Sequence, residues 1–209
     1  IDNLRAFNIR GGGLHPVLVE LSTKDGIKGY GEAAVAYGIG ANAAAGMLSD
    51  LAHKVVGQDA TYPRNIWHEI YDNSFWTKGG GAIVFAALSA IDQALWDIKA
   101  QSLGVPVYEL FGAKFESSLE VYANGWNTDH DDAMEWAKAA ERPLKDGYTI
   151  LKCYPLATRQ EGGTLRHVQR RSLSIEEFKR AIDRVRALRK VVGPDISLMF
   201  DLSGGLNND

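Results

Sequence analysis

The sequence predicts an α/β protein in which an α+β domain is followed by parallel βαβ units. The first half contains an antiparallel hairpin and a run of helices, whereas after about residue 112 the pattern becomes strand, helix, strand, helix, strand. We therefore expect an α+β domain over residues 1–112 and a parallel α/β domain over residues 113–209.

The first half opens on a hairpin and continues into helices. Val17, Val19 and Leu21 alternate with other residues, and Lys24-Asp25-Gly26 supplies a tight turn. The helices predicted from the spacing of apolar residues cover 41–56, 63–71 and 82–103, and Gly104 ends the last of them.

The second half alternates strands with helices. Three strands cannot close a (β/α)₈ barrel, which takes about 250 residues, so the domain is either a small open sheet or the beginning of a longer polypeptide. Because the chain begins at Ile1 without a methionine and stops at Asp209 soon after a strand, we expect a fragment. The predicted strands cover 119–124, 149–154 and 196–201, and the predicted helices cover 131–144 and 174–192.

The composition argues against several classes of function. The 209 residues include 23 basic and 26 acidic side chains, and the net charge of −3 gives no field that attracts nucleic acid or an anionic membrane. The single cysteine, Cys153, excludes an intrachain disulfide and fits a reducing, cytoplasmic location. The longest nearly apolar run, Ala82 to Ile91, is too short to span a bilayer. We therefore expect neither a nucleic-acid partner nor a membrane partner.

Polar side chains cluster where the predicted parallel strands end. Asn124 and Trp126 follow the first strand, Lys152 and Tyr154 belong to the second, and Asp201 closes the third. Active sites of parallel α/β folds gather at this edge of the sheet. These residues are therefore candidates for binding and catalysis.

Lys152 and Asp201 are candidates for a base and a metal ligand. Lys152 and Tyr154 face the same side of their strand, because side chains alternate along a strand. A lysine shielded from water has its pKa lowered toward neutral and can accept a proton, and a carboxylate oxygen suits Mg²⁺. From the spacing alone, the alternative is a solvated lysine at a strand end and an aspartate that caps a helix.

A long segment of the chain resembles a known family. Residues 87–112, ALSAIDQALWDIKAQSLGVPVYELFG, closely resemble the signature of the mandelate racemase/muconate lactonizing branch of the enolase superfamily. Residues 19–33 resemble the hairpin of the family's capping domain, and residues 122–126 resemble its first barrel strand. The resemblance implies an α+β capping domain followed by the first part of a (β/α)₇β barrel of the TIM type, with the chain truncated after the third barrel strand.

The same resemblance implies a chemistry. Enolase-superfamily sites combine a Lys or His base with Mg²⁺ and remove the proton α to a substrate carboxylate. Asp201 matches the first of the family's metal ligands, which come from the third, fourth and fifth strands, so the other two are expected beyond Asp209. Lys152 matches the first lysine of the family's Lys-x-Lys pattern, and Tyr154 stands where the second is often found.

The replacement of that second lysine favours a lyase. Racemisation needs a base on each face of the substrate, whereas loss of a β-hydroxyl needs one base and one acid. Many family members without the second lysine are acid-sugar dehydratases, so we expect this activity, with Tyr154 or a later histidine as the acid. The alternative is a racemase, epimerase or cycloisomerase of the same superfamily. Ser203 departs from the asparagine that commonly stands two positions after the metal aspartate.

Further substrate contacts are expected around the site. The family's capping domain closes over the substrate with two loops, which the resemblance places near residues 11–15 and 37–41, so His15 is a candidate substrate contact. Asn124 and Trp126 are assigned to substrate binding. The amide of Asn124 can both donate to and accept from a sugar hydroxyl, and the alternative is that it caps the turn between strand and helix. The resemblance implies a small carboxylate substrate, a sugar acid, and a homo-oligomer.

The stretch 155–172 is cationic and includes His167 among several arginines. It follows the second strand, where βα loops reach over the mouth of a barrel. A solvated loop or a subunit contact is the expected role, and a lid that attracts anionic acid sugars is the alternative.

Two alternatives lie outside this family's chemistry. Gly38-Ile-Gly40-Ala-Asn-Ala43 satisfies G-x-G-x-x-A before a helix, with Asp59 at the spacing of a ribose-binding acid, which is typical of a dinucleotide-binding module. The preceding strand belongs to a hairpin rather than to a βαβ unit, so we expect this match to be accidental. The other alternative is a partial chain without catalytic activity.

Overall fold

The computed structural model of the chain describes residues 1–11, 14–35, 39–112, 118–127, 130–159, 165–167, 172–204 and 206. The chain divides into two compact units, Ile1–Phe115 and Glu116–Asp209. The sequence pattern places the change from α+β to parallel α/β near the same point.

The first unit is built on an antiparallel sheet. Its strands are β1 (Asn3–Asn8), β2 (Val17–Ser22) and β3 (Lys28–Ala33), in the order β1-β2-β3. The pairing of β2 with β3, in which Val17 lies opposite Ala33, confirms the predicted hairpin. The sequence pattern does not reveal β1, because its contribution to the core is limited to Leu4 and Ala6.

Helices follow the sheet and pack against it. They are α1 (Ala41–Val55), α2 (Pro63–Tyr71) and α3 (Gly81–Leu103), and a 3₁₀ helix covers Val107–Phe111. The bounds of the three α-helices agree with the predicted bounds to within one residue. The core of the unit includes alternate side chains of β2 and one face of α3, namely Val17, Val19, Leu21, Leu88, Ile91, Leu95 and Ile98.

Of the helices that the structure describes, α3 is the one that is long and apolar enough to cross a membrane by length and composition alone. Ten of its residues are buried within the first unit, where the helix packs along β3. Its apolar composition is therefore explained by its place in the core.

Side chains of α3 cover the outer edge of β3. The backbone N–H of Tyr30 donates to Asp97 Oδ2 at 3.0 Å, and the N–H of Glu32 donates to Gln93 Oε1 at 3.1 Å. Unpaired N–H groups on an edge strand promote association with other strands. Gln93 and Asp97 therefore have a structural part in this unit.

The close approach of α3 to β3 requires glycine in the strand. A Cβ at Gly31 would lie 2.0 Å from the carbonyl oxygen of Ala90, and a Cβ at Gly29 would lie 2.1 Å from that of Ala94. Both distances are far shorter than a carbon and an oxygen can approach without bonding, and the obstructing atoms belong to the helix backbone. A side chain at either position would force the helix away from the sheet.

The substitution Gly31→Ala is expected to lower the free energy of unfolding by about 3 kcal/mol, because overpacking against backbone cannot be relieved by a rotamer change. Urea denaturation followed by circular dichroism measures it. Gly46→Ala is the matched control, since a Cβ there meets nothing within 4 Å on the exposed side of α1. The control should gain up to about 1 kcal/mol from helix propensity. Equal stability of the two variants would contradict the packing described.

The second unit combines a pair of parallel strands with helices of 5 to 18 residues. In chain order, its elements are α4 (Ala133–Lys138), α5 (Glu141–Lys145), β4 (Ile150–Cys153), β5 (Thr158–Arg159), β6 (Leu165–Arg166), α6 (Ile175–Val192) and β7 (Ser197–Phe200). β4 and β7 pair in parallel, with Lys152 opposite Met199, which confirms the predicted βαβ construction. A capping box formed by Ser174 and Glu177 begins α6, which corresponds to the helix predicted over 174–192.

The core of this unit lies against one face of β4. Leu151 and Cys153 point inward and are completely buried, together with Leu188 of α6. Burial raises the pKa of the Cys153 thiol to about 12, so this cysteine is a packing residue rather than a nucleophile. The alternation of β4 consequently turns Lys152 to the opposite face.

The predicted strand over 119–124 is wrong in its extent, because Ala123 alone forms a bridge, parallel to Leu151. β4 begins at Ile150, which already accepts the N–H of Ala123, so the residues before Ala123 have no strand beside them. Alternation of apolar residues favours extended backbone, but a strand also needs a partner.

Two further expectations are corrected in this unit. The single helix predicted over 131–144 is two short helices, α4 and α5, because Pro143 has no N–H with which to continue the first. The stretch 155–172, expected to be a loop, contains the antiparallel pair β5 and β6, in which Thr158 lies opposite Arg166.

Candidate active site

Backbone hydrogen bonds bring three chain segments to one edge of the second unit. The N–H of Lys152 donates to the carbonyl of Ala123 at 2.8 Å, and the N–H of Asp201 donates to the carbonyl of Cys153 at 2.9 Å. Because the segments run in parallel, their carboxyl ends meet, and the side chains of Lys152 and Asp201 become neighbours.

Lys152 and Asp201 form an ion pair. Nζ of Lys152 lies 2.9 Å from Oδ2 of Asp201, and the two side chains are 19% and 33% exposed. The other carboxylate oxygen, Oδ1, accepts the N–H of Ser203 at 2.8 Å, which is the bond of an Asx turn. Among the residues that the structure describes, no helix starts at Asp201, so the alternative of a helix cap is not supported.

The ion pair controls the protonation of both groups. The hydrogen bond to Asp201 raises the pKa of Lys152 above its ordinary value, against partial burial, and Tyr154 adds to the increase. The same bond lowers the pKa of Asp201, helped by the N–H of Ser203. The expectation that shielding from water would bring the pKa of Lys152 toward neutral is therefore wrong for this arrangement, in which the lysine is an ammonium.

Aromatic side chains surround the ammonium of Lys152. Nζ lies 5.2 Å from the ring centre of Tyr154 and 5.7 Å from that of Tyr122, within the range of cation–π attraction. The indole Nε1–H of Trp126 donates to the carbonyl of Lys152 at 2.9 Å. Trp126 therefore fixes the strand backbone at the site, and Tyr122 joins the site although the sequence analysis does not single it out.

His167 reaches the same side-chain cluster from the end of β6. Its Nδ1 lies 2.9 Å from Oγ of Ser203, and its ring meets the ring of Tyr154 edge to face, with 4.9 Å between the centres. His167 belongs to the cationic stretch 155–172, and Ser203 departs from the pattern of the family that the sequence resembles. Nothing in their spacing could have joined them, since their contact depends on the β5–β6 pair.

A buried guanidinium anchors the turn that follows β4. Arg184 of α6 has no exposed surface and donates to the carbonyls of Pro155 at 3.1 Å and Ala157 at 2.6 Å. It also donates to the carbonyl and to Oδ1 of Asp131, at 3.0 and 2.9 Å. Burial lowers the pKa of Arg184, and the bond to Asp131 opposes that decrease. This contact could not be predicted from the sequence, because an arginine on an amphipathic helix is usually solvent-exposed.

The other candidates for substrate binding are Asn124 and His15. Asn124 is exposed at the end of its segment, and within the described part of the chain no hydrogen bond joins it to Lys152 or Asp201. His15 belongs to the first unit, where it lines a pocket of about 390 Å³ together with Asn8 and Arg10.

Parts of the two predicted capping loops, residues 12–13 and 37–38, lie outside the described residues, and Gly38 also belongs to the G-x-G-x-x-A match. Asp59 accepts both the N–H and the hydroxyl of Thr61, at 2.9 and 2.7 Å, in a turn before α2. β3, the strand before the match, pairs antiparallel with β2. A dinucleotide-binding βαβ unit is therefore not formed here.

Comparison with known proteins supports the assignment of the fold. Residues 13–112 match the N-terminal domain of the mandelate racemase/muconate lactonizing enzyme family. The D-gluconate dehydratase of Thermoproteus tenax is 33% identical over 193 residues, which are 92% of this chain and 36% of that protein.

Two crystal structures superpose on nearly the whole chain. One, from Mesorhizobium loti and provisionally named a dehydratase, is 54% identical and has a TM-score of 0.91 over 98% of this chain and 53% of its own. The other, a member of the enolase superfamily from Salmonella Typhimurium, is 30% identical and has a TM-score of 0.89 over 99% of this chain and 55% of its own. The chain thus spans about half the length of these two proteins.

An α+β capping domain and the first parallel strands of an α/β barrel, with a lysine and an aspartate at the strand ends, define the class of protein to which the chain belongs. Within that class, the chain belongs to the mandelate racemase/muconate lactonizing branch of the enolase superfamily.

Replacement of the buried guanidinium tests how the turn after β4 is held. Arg184→Lys is expected to lower the free energy of unfolding by about 3 kcal/mol, because a lysine cannot satisfy carbonyls on several sides. Arg186→Lys is the control on the same helix, where the side chain is 78% exposed, and a change within about 0.5 kcal/mol is expected. Chemical denaturation measures both, and a neutral Arg184→Lys would show that the turn does not need this anchor.

Proposed function

We propose that the protein is a Mg²⁺-dependent acid-sugar dehydratase, which removes the proton α to a carboxylate and then eliminates water. The observation that carries this proposal is the pairing of Lys152 Nζ with Asp201 Oδ2, 2.9 Å apart at adjacent strand ends. The name of the Thermoproteus tenax relative and the provisional name of the Mesorhizobium loti protein support it. Both proteins are longer than the span that this chain matches, so the activity is proposed from the site and the likeness together.

The donor atoms at the site fit Mg²⁺ in part. Asp201 offers a hard carboxylate that is one-third exposed at a strand end, and its present partners, a lysine and one N–H, are exchangeable. Within the described residues, no group of three or more His, Cys, Asp or Glu side chains could hold a metal, so Asp201 would supply one ligand of several. When bound, the cation would offset the negative charge that collects on the substrate carboxylate as the α-proton leaves.

Lys152 and Tyr154 are assigned to proton transfer. As an ammonium, Lys152 attracts the substrate carboxylate, and as an amine it accepts the α-proton. The ion pair keeps Lys152 protonated in the resting site, so it must separate from Asp201 before it can act as a base. Tyr154 lies beside the same ammonium and is assigned, with a histidine as the alternative, to protonate the departing hydroxyl.

The remaining assignments concern substrate binding and assembly. Asn124 is assigned to bind a sugar hydroxyl, because it is exposed at the end of the same segment as Trp126. Trp126 shapes the site through its bond to the carbonyl of Lys152. His15 is assigned to the substrate from the capping domain. The proposal includes a small sugar acid as partner, a homo-oligomer and a cytoplasmic location.

The intact gene product is expected to convert an aldonate such as D-gluconate, or one of its epimers, to the 2-keto-3-deoxy acid. Proton NMR of the reaction measures both the loss of the substrate and the appearance of the new methylene group. Chelation with EDTA should abolish turnover, and added Mg²⁺ should restore it. Formation of an epimer without loss of water would contradict the dehydratase proposal in favour of a racemase or epimerase.

Substitutions at the ion pair test the roles of Lys152 and Asp201 separately. Lys152→Met is expected to slow turnover about 10³-fold, in the range found for removal of a general base. Lys138→Met, on the exposed face of α4, is the matched control and should turn over at the wild-type rate. Asp201→Asn is expected to weaken Mg²⁺ binding, measured by calorimetry, by at least about 10-fold. Unchanged Mg²⁺ affinity in this variant would exclude Asp201 as a ligand.

A further inference from the structure

His167 joins the site from outside the parallel strands. It follows β6, and the β5–β6 pair carries it back to the strand ends, where its half-buried ring packs against Tyr154. Its contact with Ser203 joins it to the turn that also holds Asp201. The resulting order of contacts is Lys152, Asp201, Ser203, His167, Tyr154 and back to Lys152.

The contact with Ser203 leaves one ring nitrogen available. Nδ1 is 2.9 Å from the Ser203 hydroxyl, and among the described residues no second hydrogen bond to the ring is formed. A hydroxyl can accept from Nδ1–H, and in that tautomer Nε2 is the nitrogen that gains and loses a proton. The packing of Tyr154 against the ring fixes its plane. One contact at Nδ1 and one ring contact thus hold the imidazole of His167 in place. A group that transfers a proton must be positioned in this way.

The chemistry of water loss favours an imidazolium over a phenol. A departing hydroxide needs a proton, and an acid whose pKa lies near the working pH delivers it best. Histidine has an ordinary pKa of about 6.5, whereas that of tyrosine is about 10. Tyr154 also faces the Lys152 ammonium, which places it with the base rather than with the leaving group.

We propose that His167, in place of Tyr154, is the acid that protonates the departing β-hydroxyl, with Nε2 as the donating atom and Ser203 as its positioning residue. This inference rests on the proposed dehydratase function. Lys152 takes the α-proton, and the electron pair of that C–H bond forms the carbon–carbon double bond while the C–O bond breaks. The hydroxide takes the Nε2 proton and leaves as water, so that His167 ends neutral with its proton on Nδ1. Solvent then restores the proton of His167 and removes that of Lys152.

The test compares two leaving groups in the intact, Mg²⁺-loaded protein. One substrate is the sugar acid that the wild type dehydrates, and the other is its 3-deoxy-3-fluoro analogue, whose fluoride leaves without needing a proton. His167→Gln is expected to lose water from the first substrate about 10²- to 10³-fold more slowly than the wild type, the range for removing a general acid. It should release fluoride from the analogue within about threefold of the wild-type rate, because the base is intact.

Further variants guard against loss of structure. His167→Asn serves as the second variant if His167→Gln unfolds, and His130→Asn, which replaces an exposed histidine of the same unit, should match the wild type on both substrates. Ser203→Ala should slow water loss about 10-fold and leave fluoride release unchanged, since it loosens the imidazole without removing it. Substrate binding to each variant is measured by calorimetry.

Two results would overturn the inference while leaving the dehydratase proposal in place. One is water loss by His167→Gln at the wild-type rate, and the other is an equal decrease in the release of water and of fluoride, which would show a structural role. Failure of the wild type to release either group would overturn the dehydratase proposal and the inference with it.

Discussion

The candidate site depends on one buried guanidinium. Arg184 satisfies the carbonyls of Pro155 and Ala157 in the turn after β4 and, through Asp131, the segment that begins α4. Burying a charge is costly unless it is paired and hydrogen-bonded. Here four hydrogen bonds from the two terminal nitrogens of Arg184, one of them to the Asp131 carboxylate, offset that cost, and Nε has no hydrogen-bond partner among the described residues. Because Tyr154 stands at the start of that turn, the position of its ring follows from the position of Arg184.

The position of the ion pair at the strand ends is the most predictable feature of the site, whereas the protonation state of its lysine is the least predictable. The two-residue period of β4 and the convergence of parallel strands predict from the sequence alone that Lys152 and Asp201 lie at the same edge of the sheet. The protonation of the lysine depended on the actual distance of 2.9 Å, which reversed the expected direction of its pKa shift. The alternation of residues along a strand determines the side of the sheet on which a side chain lies. Its charge state depends on the atoms within a few ångströms of it.

The same division applies to the fold. The helices of the first unit could be predicted closely, because apolar spacing and Gly104 mark their ends within the local sequence. The strand over 119–124 could not, because pairing depends on where β4 begins. The roles of Arg184 and His167 were equally hidden, since each depends on segments far apart in sequence. Local signals therefore predicted the elements, and tertiary contacts decided which side chains meet.

Ser203 shows how backbone conformation is used at the site. Its φ of +53° lies in the left-handed region, the one such non-glycine residue in the described part of the chain. A non-glycine residue there costs about 1 kcal/mol, and such conformations concentrate at functional sites. In this conformation its N–H reaches Asp201 while its hydroxyl reaches His167. Asparagine, which the family resemblance places at this position, tolerates the left-handed region better. Serine at this position therefore combines a short hydroxyl side chain with a less favourable backbone conformation. Its contact with His167 is the feature of the structure that accounts for a serine here.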